Sequence, residues 1–162
     1  MSAVLNPYAA HLAERNAREV IAETPGKLRS LHDKLGPAGV ERSYAPGKWT
    51  ARVIFCHLAD CEIAFAFRLR QALAEPHHVI QPFDQEAWAR SYKEPLSARD
   101  AMDVFAVVRR WNLALLDTVS REAFSKTVRH PERGDMTFQT IVETMAGHDL
   151  NHRRQLETIA ER

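Results

Sequence analysis

This chain has few covalent or electrostatic aids to folding. Of its 162 residues only two are cysteine. Cys56 and Cys61 fall five positions apart in one predicted helix and point to different sides. That excludes a disulfide between them and leads to the expectation of a reduced, cytoplasmic protein. No apolar run approaches the length of a membrane span. The opening residues MSAVLNPYAAHL lack a basic segment followed by an apolar core, so no secretory signal is expected. An excess of one charge is also missing: 22 Lys and Arg stand against 21 Asp and Glu, for a net charge of +1 with histidines neutral. That excludes a general electrostatic pull toward nucleic acid or an anionic membrane. Internal repeats, low-complexity tracts and convincing strand alternation are absent. So are the Gly-x-Ser-x-Gly, P-loop, Cys-x-x-Cys and His-Glu-x-x-His motifs.

Helical periodicity is what remains, in a chain long enough to bury one core. A first helix is predicted over about 7–23, interrupted by Thr24-Pro25-Gly26. Thr24 then caps a continuation that carries Leu28, Leu31 and Leu35 and ends near Gly36-Pro37. Thr50 is a plausible cap for a long helix ending near Glu75-Pro76. Its stripe reads Val53, Ile54, His57, Leu58, Cys61, Phe65, Leu69 and Leu73. A short helix starts at Asp84 and carries Trp88. Ser97 caps another long helix, predicted to turn Val104, Phe105, Val108, Trp111, Leu115 and Val119 inward. After the turn HPERGD, a last helix begins around Thr137 with the stripe Phe138, Ile141, Met145, His148, His152, Leu156 and Ile159. The pattern predicts an all-α protein, a bundle of four main helices with a short extra helix after the second long one, in a single domain over 1–162.

Eight histidines are the compositional oddity, and three of them interrupt these apolar stripes. Residues four apart share a helix face, so His148 and His152 reach one point. His57 replaces an apolar residue in the same way on another helix. A buried imidazole needs partners, because an unsatisfied polar group in a core costs about 1–3 kcal/mol. A divalent metal answers the need for all three at once, and three protein ligands leave a position for water or substrate. Independent core or boundary histidines are the alternative.

Two segments containing these histidines, PGKWTARVIFCHLADCE (46–62) and GHDLNHRRQLE (147–157), resemble the signature segments of the DinB-like, YfiT-like superfamily. IQPFDQEAWA (80–89) and HPERGDMTF (130–138) look like the same family. The resemblance implies a four-helix bundle, often a homodimer. It implies a divalent ion, Zn²⁺ or Ni²⁺, on His57, His148 and His152. It also implies a metal-dependent enzyme acting on a small molecule. The preferred reaction is transfer of a low-molecular-weight thiol to an electrophile. Hydrolysis by metal-activated water is the alternative, and a non-catalytic metal-binding bundle or interaction module is the third reading. No nucleic-acid or membrane partner is expected.

Around the three histidines, Asp60 and Gln155 are candidates to accept a ligand's free N–H or to serve as a base, against the plainer reading of solvated or boundary residues. Cys61, four after His57, has a ligand's spacing but reads better as a core filler. Asp149 is expected in solvent or in an interhelical pair. Arg109-Arg110 and Arg153-Arg154 read as solvated pairs, and His11, His32 and His130 as surface residues. Trp49, Trp88 and Trp111 read as core or pocket wall. Gly147 is unexpected in mid-helix, where glycine costs about 1 kcal/mol relative to alanine. A close helix approach, or space beside a metal, would account for it.

Overall fold

The computed structural model describes residues 5–93 and 96–162. Four long helices carry the fold: α2 (Ala17–Gly39), α3 (Ala51–Ala74), α5 (Ala98–Leu116) and α6 (Phe138–Ala160). A single turn, α1 (Ala9–Leu12), precedes them, and α4 (Gln85–Ala89) is the short helix expected after the second long one. Each cap fits its sequence. Thr50, Ser97 and Thr137 accept from the backbone N–H three residues on, and Asp84 accepts from Glu86 and Ala87. Among the described residues no helix is long and apolar enough to cross a membrane.

The helices are ordered so that α2 packs on α6 and α5, and α3 packs on α5 and α6. The pairs that follow each other among the long helices, α2 with α3 and α5 with α6, therefore lie across the bundle diagonal. This crossover order places α3 beside α6, which is what lets residues 57 and 148 meet. Two apolar cores fill the interior, one around Ile21, Leu69, Phe138 and Met145, the other around Leu28, Ile54, Phe105 and Leu156.

Three expectations need correction. Thr24-Pro25-Gly26 does not break the first long helix. The break falls earlier, at Ala13 with φ 49°, and Asn16 caps α2, which then runs through Pro25. Proline removes the N–H that would bond the carbonyl four residues back. That carbonyl, Ile21 O, is taken instead by Arg109 Nη1 at 2.9 Å. At the other end, Gly36 adopts φ 60° and interrupts the helical geometry, as Gly36-Pro37 led one to expect.

The second correction is a hairpin. Strands β1 (Thr127–His130) and β2 (Gly134–Thr137) pair antiparallel, with Val128 opposite Met136, and the HPERGD turn joins them. Val128 and Met136 are buried in the first core, so the hairpin closes one end of the bundle.

The third concerns α5. Phe105 is buried as predicted, but Val104 and Trp111 are 42% and 67% exposed. Arg109 and Asn112 occupy the inward positions instead, because buried acidic groups on neighbouring helices demand them. The α5 stripe is rotated from its hydrophobic reading by these two polar residues.

Candidate metal centre

His57 reaches inward from α3, and His148 and His152 from successive turns of α6. All three are buried. Their ring centroids are 4.5–5.1 Å apart, with His148 and His152 the closest pair. Aromatic rings enclose them. Trp49 stacks nearly parallel to His152 at 6.2 Å and lies 4.8 Å from His57, while Tyr8 and Phe65 approach His148 edge-on.

Burial holds the three imidazoles in their neutral form, and mutual repulsion adds to it for His57 and His148. The pKa of His57 falls to about 3 and that of His152 to about 4, and His148 is driven well below the ordinary value. A neutral imidazole has one donor and one acceptor nitrogen. His152 Nδ1 lies 2.8 Å from Gln155 Oε1, which can only accept, so Nδ1 carries the proton. Its Nε2 is then a lone pair, and it is buried with no hydrogen-bond partner. His57 Nε2 and His148 Nε2 face each other at 3.0 Å, where one must donate to the other. Cys61 Sγ lies 3.4 Å from His57 Nε2, and His57, Cys61 and His148 offer donor atoms within 4.8 Å of one another. His57 and His148 thus bring neutral nitrogen donors together with a thiol beside them, and the adjoining ring of His152 carries a nitrogen with no protein partner. The set suits a borderline divalent ion.

Gln155 thus stands where its spacing suggested. Asp60 does not join the site: its carboxylate accepts from the Tyr92 hydroxyl at 2.8 Å and borders a separate surface cavity. Gly147 has its explanation in a close approach. A Cβ there would meet Tyr8 O at 2.5 Å, so the missing side chain lets the segment before α1 lie against α6 and bring Tyr8 over His148.

Below the histidines lies a feature that the sequence did not disclose. Arg109 is fully buried and forks to Glu62 at 2.6 and 3.0 Å and to Asp149 at 2.6 and 3.2 Å. With its bond to Ile21 O it ties α5 to α2, α3 and α6. Burial opposes the charge on Arg109, but Asp149 and Glu62 outweigh it and hold the guanidinium protonated. Asn112 adds a bond to Glu62 Oε1 at 2.7 Å. Neither Arg109 nor Arg153 is a solvated surface arginine: Arg153 pairs with Glu23 at 2.7 Å. Nor is His130 a surface residue, being 5% exposed with its ring accepting from Glu132 N, and His11 and His32 are half-buried. Of the tryptophans, Trp49 is site wall, Trp88 stacks on Phe83 at 4.4 Å while 40% exposed, and Trp111 is neither core nor wall.

Two cavities, both lined by Tyr8, reach the histidines. The larger, about 450 Å³, runs from Arg68, Phe83 and Arg133 down to Cys61 and His148. The smaller, about 230 Å³ and more polar, is bordered by Tyr44, Lys48, Trp49, Asn151 and Gln155 and ends on His152.

Fold and site together define a crossover four-helix bundle with a buried histidine centre open to two cavities. The chain belongs to the DinB superfamily, whose model matches residues 21–156. It is 29% identical over 143 residues to a protein of Oceanobacillus iheyensis named "putative metal-dependent hydrolase", spanning 88% of this chain and 83% of that protein. It is 26% identical over 149 residues to YfiT of Bacillus subtilis, which carries the same description, spanning 89% and 82%. The solved structure of B. subtilis YfiT, described as a probable metal-dependent hydrolase with an unusual four-helix bundle topology, superposes with a TM-score of 0.82. The match has 23% identity and covers 90% of this chain and 85% of that one. The fold is therefore that bundle.

Proposed function

We propose that this chain is a divalent-metal enzyme acting on a small molecule, with His57, His148 and His152 as its protein ligands. The observation that carries this reading is the buried, unpartnered Nε2 of His152, set among the rings of the other two histidines. Neutral imidazoles favour Zn²⁺ or Ni²⁺ over hard cations such as Mg²⁺. When bound, such an ion supplies Lewis acidity, which makes a nucleophile of water or a thiol near neutral pH. The chain's own residues prepare the site. Gln155 fixes the tautomer of His152, and Trp49, Tyr8 and Phe65 pack against the rings. The Arg109 network holds α3 and α6 at a fixed separation.

Hydrolysis is the reaction that the relatives' names support. Transfer of a low-molecular-weight thiol to an electrophile is a second reading, favoured by the paired cavities, since a transferase must seat two small molecules and a hydrolase one and water. Metal-loaded protein assayed against panels of esters and amides, and of thiols with electrophiles, separates them. Metal-dependent turnover in either panel identifies the class. Turnover in neither leaves the non-catalytic metal-binding bundle. The homodimer implied by the family resemblance also stands as a proposal. Its support is the exposure of large apolar side chains, Ile63 and Phe67 on α3 and Val107 and Trp111 on α5. A monomeric mass by light scattering removes it.

A further inference from the structure

Cys61 is the side chain of the cluster that the three-histidine reading leaves unused. It follows His57 by one turn of α3, and its Sγ lies 3.4 Å from His57 Nε2 and 3.7 Å from His57 Nδ1. A core-filling cysteine packs its thiol among carbon atoms. This one faces imidazole nitrogens on one side and, together with His148, the larger cavity on the other. His152, whose ring adjoins those of His57 and His148, gives an independent sign of a ligand nearby. It is 4% exposed, its Nε2 has no partner, and its ring lies 4.8 Å from His57 and 4.5 Å from His148. A tetrahedral ion with bonds of about 2.0–2.1 Å to nitrogen and about 2.3 Å to sulfur separates its donors by about 3.3–3.6 Å. The 3.0 Å between the facing Nε2 atoms and the 3.4 Å from Sγ to His57 Nε2 lie close to those edges.

We propose that Cys61 is a fourth donor, a thiolate, to the ion held by His57, His148 and His152. The proposal rests on the metal reading above and adds a soft ligand to it, which strengthens the preference for thiophilic borderline ions. Burial keeps the free thiol protonated, but coordination removes that proton outright, so each ion bound releases one proton from Cys61 to solvent. Cys61 and His148 are the donors that face the larger cavity. With Cys61 bound a four-coordinate ion has no free position, so water or a small thiol arriving there either displaces Cys61 or adds as a fifth ligand.

The test is the absorption spectrum of the full-length protein, stripped of metal and reloaded with one equivalent of Co²⁺. The expected spectrum has a near-ultraviolet thiolate-to-cobalt charge-transfer band. The band persists in Cys56→Ala and disappears in Cys61→Ala, which still takes up cobalt with affinity weakened about tenfold or more. Cobalt bound by the wild type without that band overturns the Cys61 assignment and leaves the three-histidine site standing. A band that survives in Cys61→Ala also overturns it. Failure of the wild type to bind cobalt at all overturns both.

Discussion

The backbone of Tyr8 rests on Gly147, with room for a hydrogen and not for a methyl group: a Cβ on Gly147 would sit 2.5 Å from Tyr8 O and 2.7 Å from Tyr8 Cβ. One of these contacts is backbone, which yields little. Gly147→Ala is therefore expected to lift the segment around Tyr8 away from His148, despite alanine's better helix propensity. Overpacking of this kind costs about 1–3 kcal/mol. Chemical denaturation measures the cost, and hydrogen exchange across residues 8–12 localises it. An alanine variant as stable as wild type, with unchanged exchange there, would show that the contact is not binding.

His152→Ala should remove stoichiometric metal, as measured by elemental analysis of protein purified without chelators. His57→Ala and His148→Ala should do the same. Gln155→Ala acts only by freeing the His152 ring, so it should weaken metal affinity about 10–100-fold without abolishing it. Wild-type protein that contains no divalent ion would refute the assignment of all three ligands.

Arg109→Met leaves Glu62 and Asp149 as buried carboxylates facing a thioether. Breaking a buried pair in this way costs about 3–5 kcal/mol. Arg109→Lys should recover only part of it, because one ammonium cannot fork to two carboxylates and a carbonyl. Urea denaturation reads both values. A neutral effect of Arg109→Met would mean that the network does not hold the helices.

The metal-free protein should lose stability on acidification. Its three site histidines have folded pKa values pushed below the ordinary 6.5, to about 3 for His57 and about 4 for His152. Between those values and 6.5 the unfolded chain binds more protons than the folded one, so stability falls as pH falls. It is fully present above about pH 6.5. Each histidine contributes a slope of up to about 1.4 kcal/mol per pH unit. Melting temperatures of chelator-treated protein from pH 7.5 to 4.5 test this, and His57→Phe should flatten the curve. A flat wild-type curve would contradict the neutral, buried state of the rings.

How much of this could be read in the sequence varied with how far each residue depends on distant partners. His57, His148 and His152 were legible because each replaces an apolar residue in an otherwise regular stripe. Thr50, Ser97 and Thr137 were legible because a cap is a local event. Arg109 was not: beside Arg110 it reads as a solvated pair, and which of the two turns inward is decided by Glu62 and Asp149 on other helices. Pro25 misled for the same reason, since the group that takes its orphaned carbonyl lies 88 residues away. The hairpin escaped notice because four-residue strands are too short to show alternation. Cys61 reads as a core filler from spacing, which does not reveal that its thiol lies 3.4 Å from a ring nitrogen.

The diagonal placement of consecutive helices also bears on how the chain reaches its native state. His57 and His148 are 91 residues apart in sequence, and α3 cannot meet α6 until the hairpin that leads into α6 has returned the chain to it. The contact is non-local, and closures of that kind are slow. An ion held by both helices, as proposed above, would recognise only chains that have completed this step and would stabilise the finished fold by mass action. The concentration of metal during refolding would then raise the amount of folded protein that accumulates.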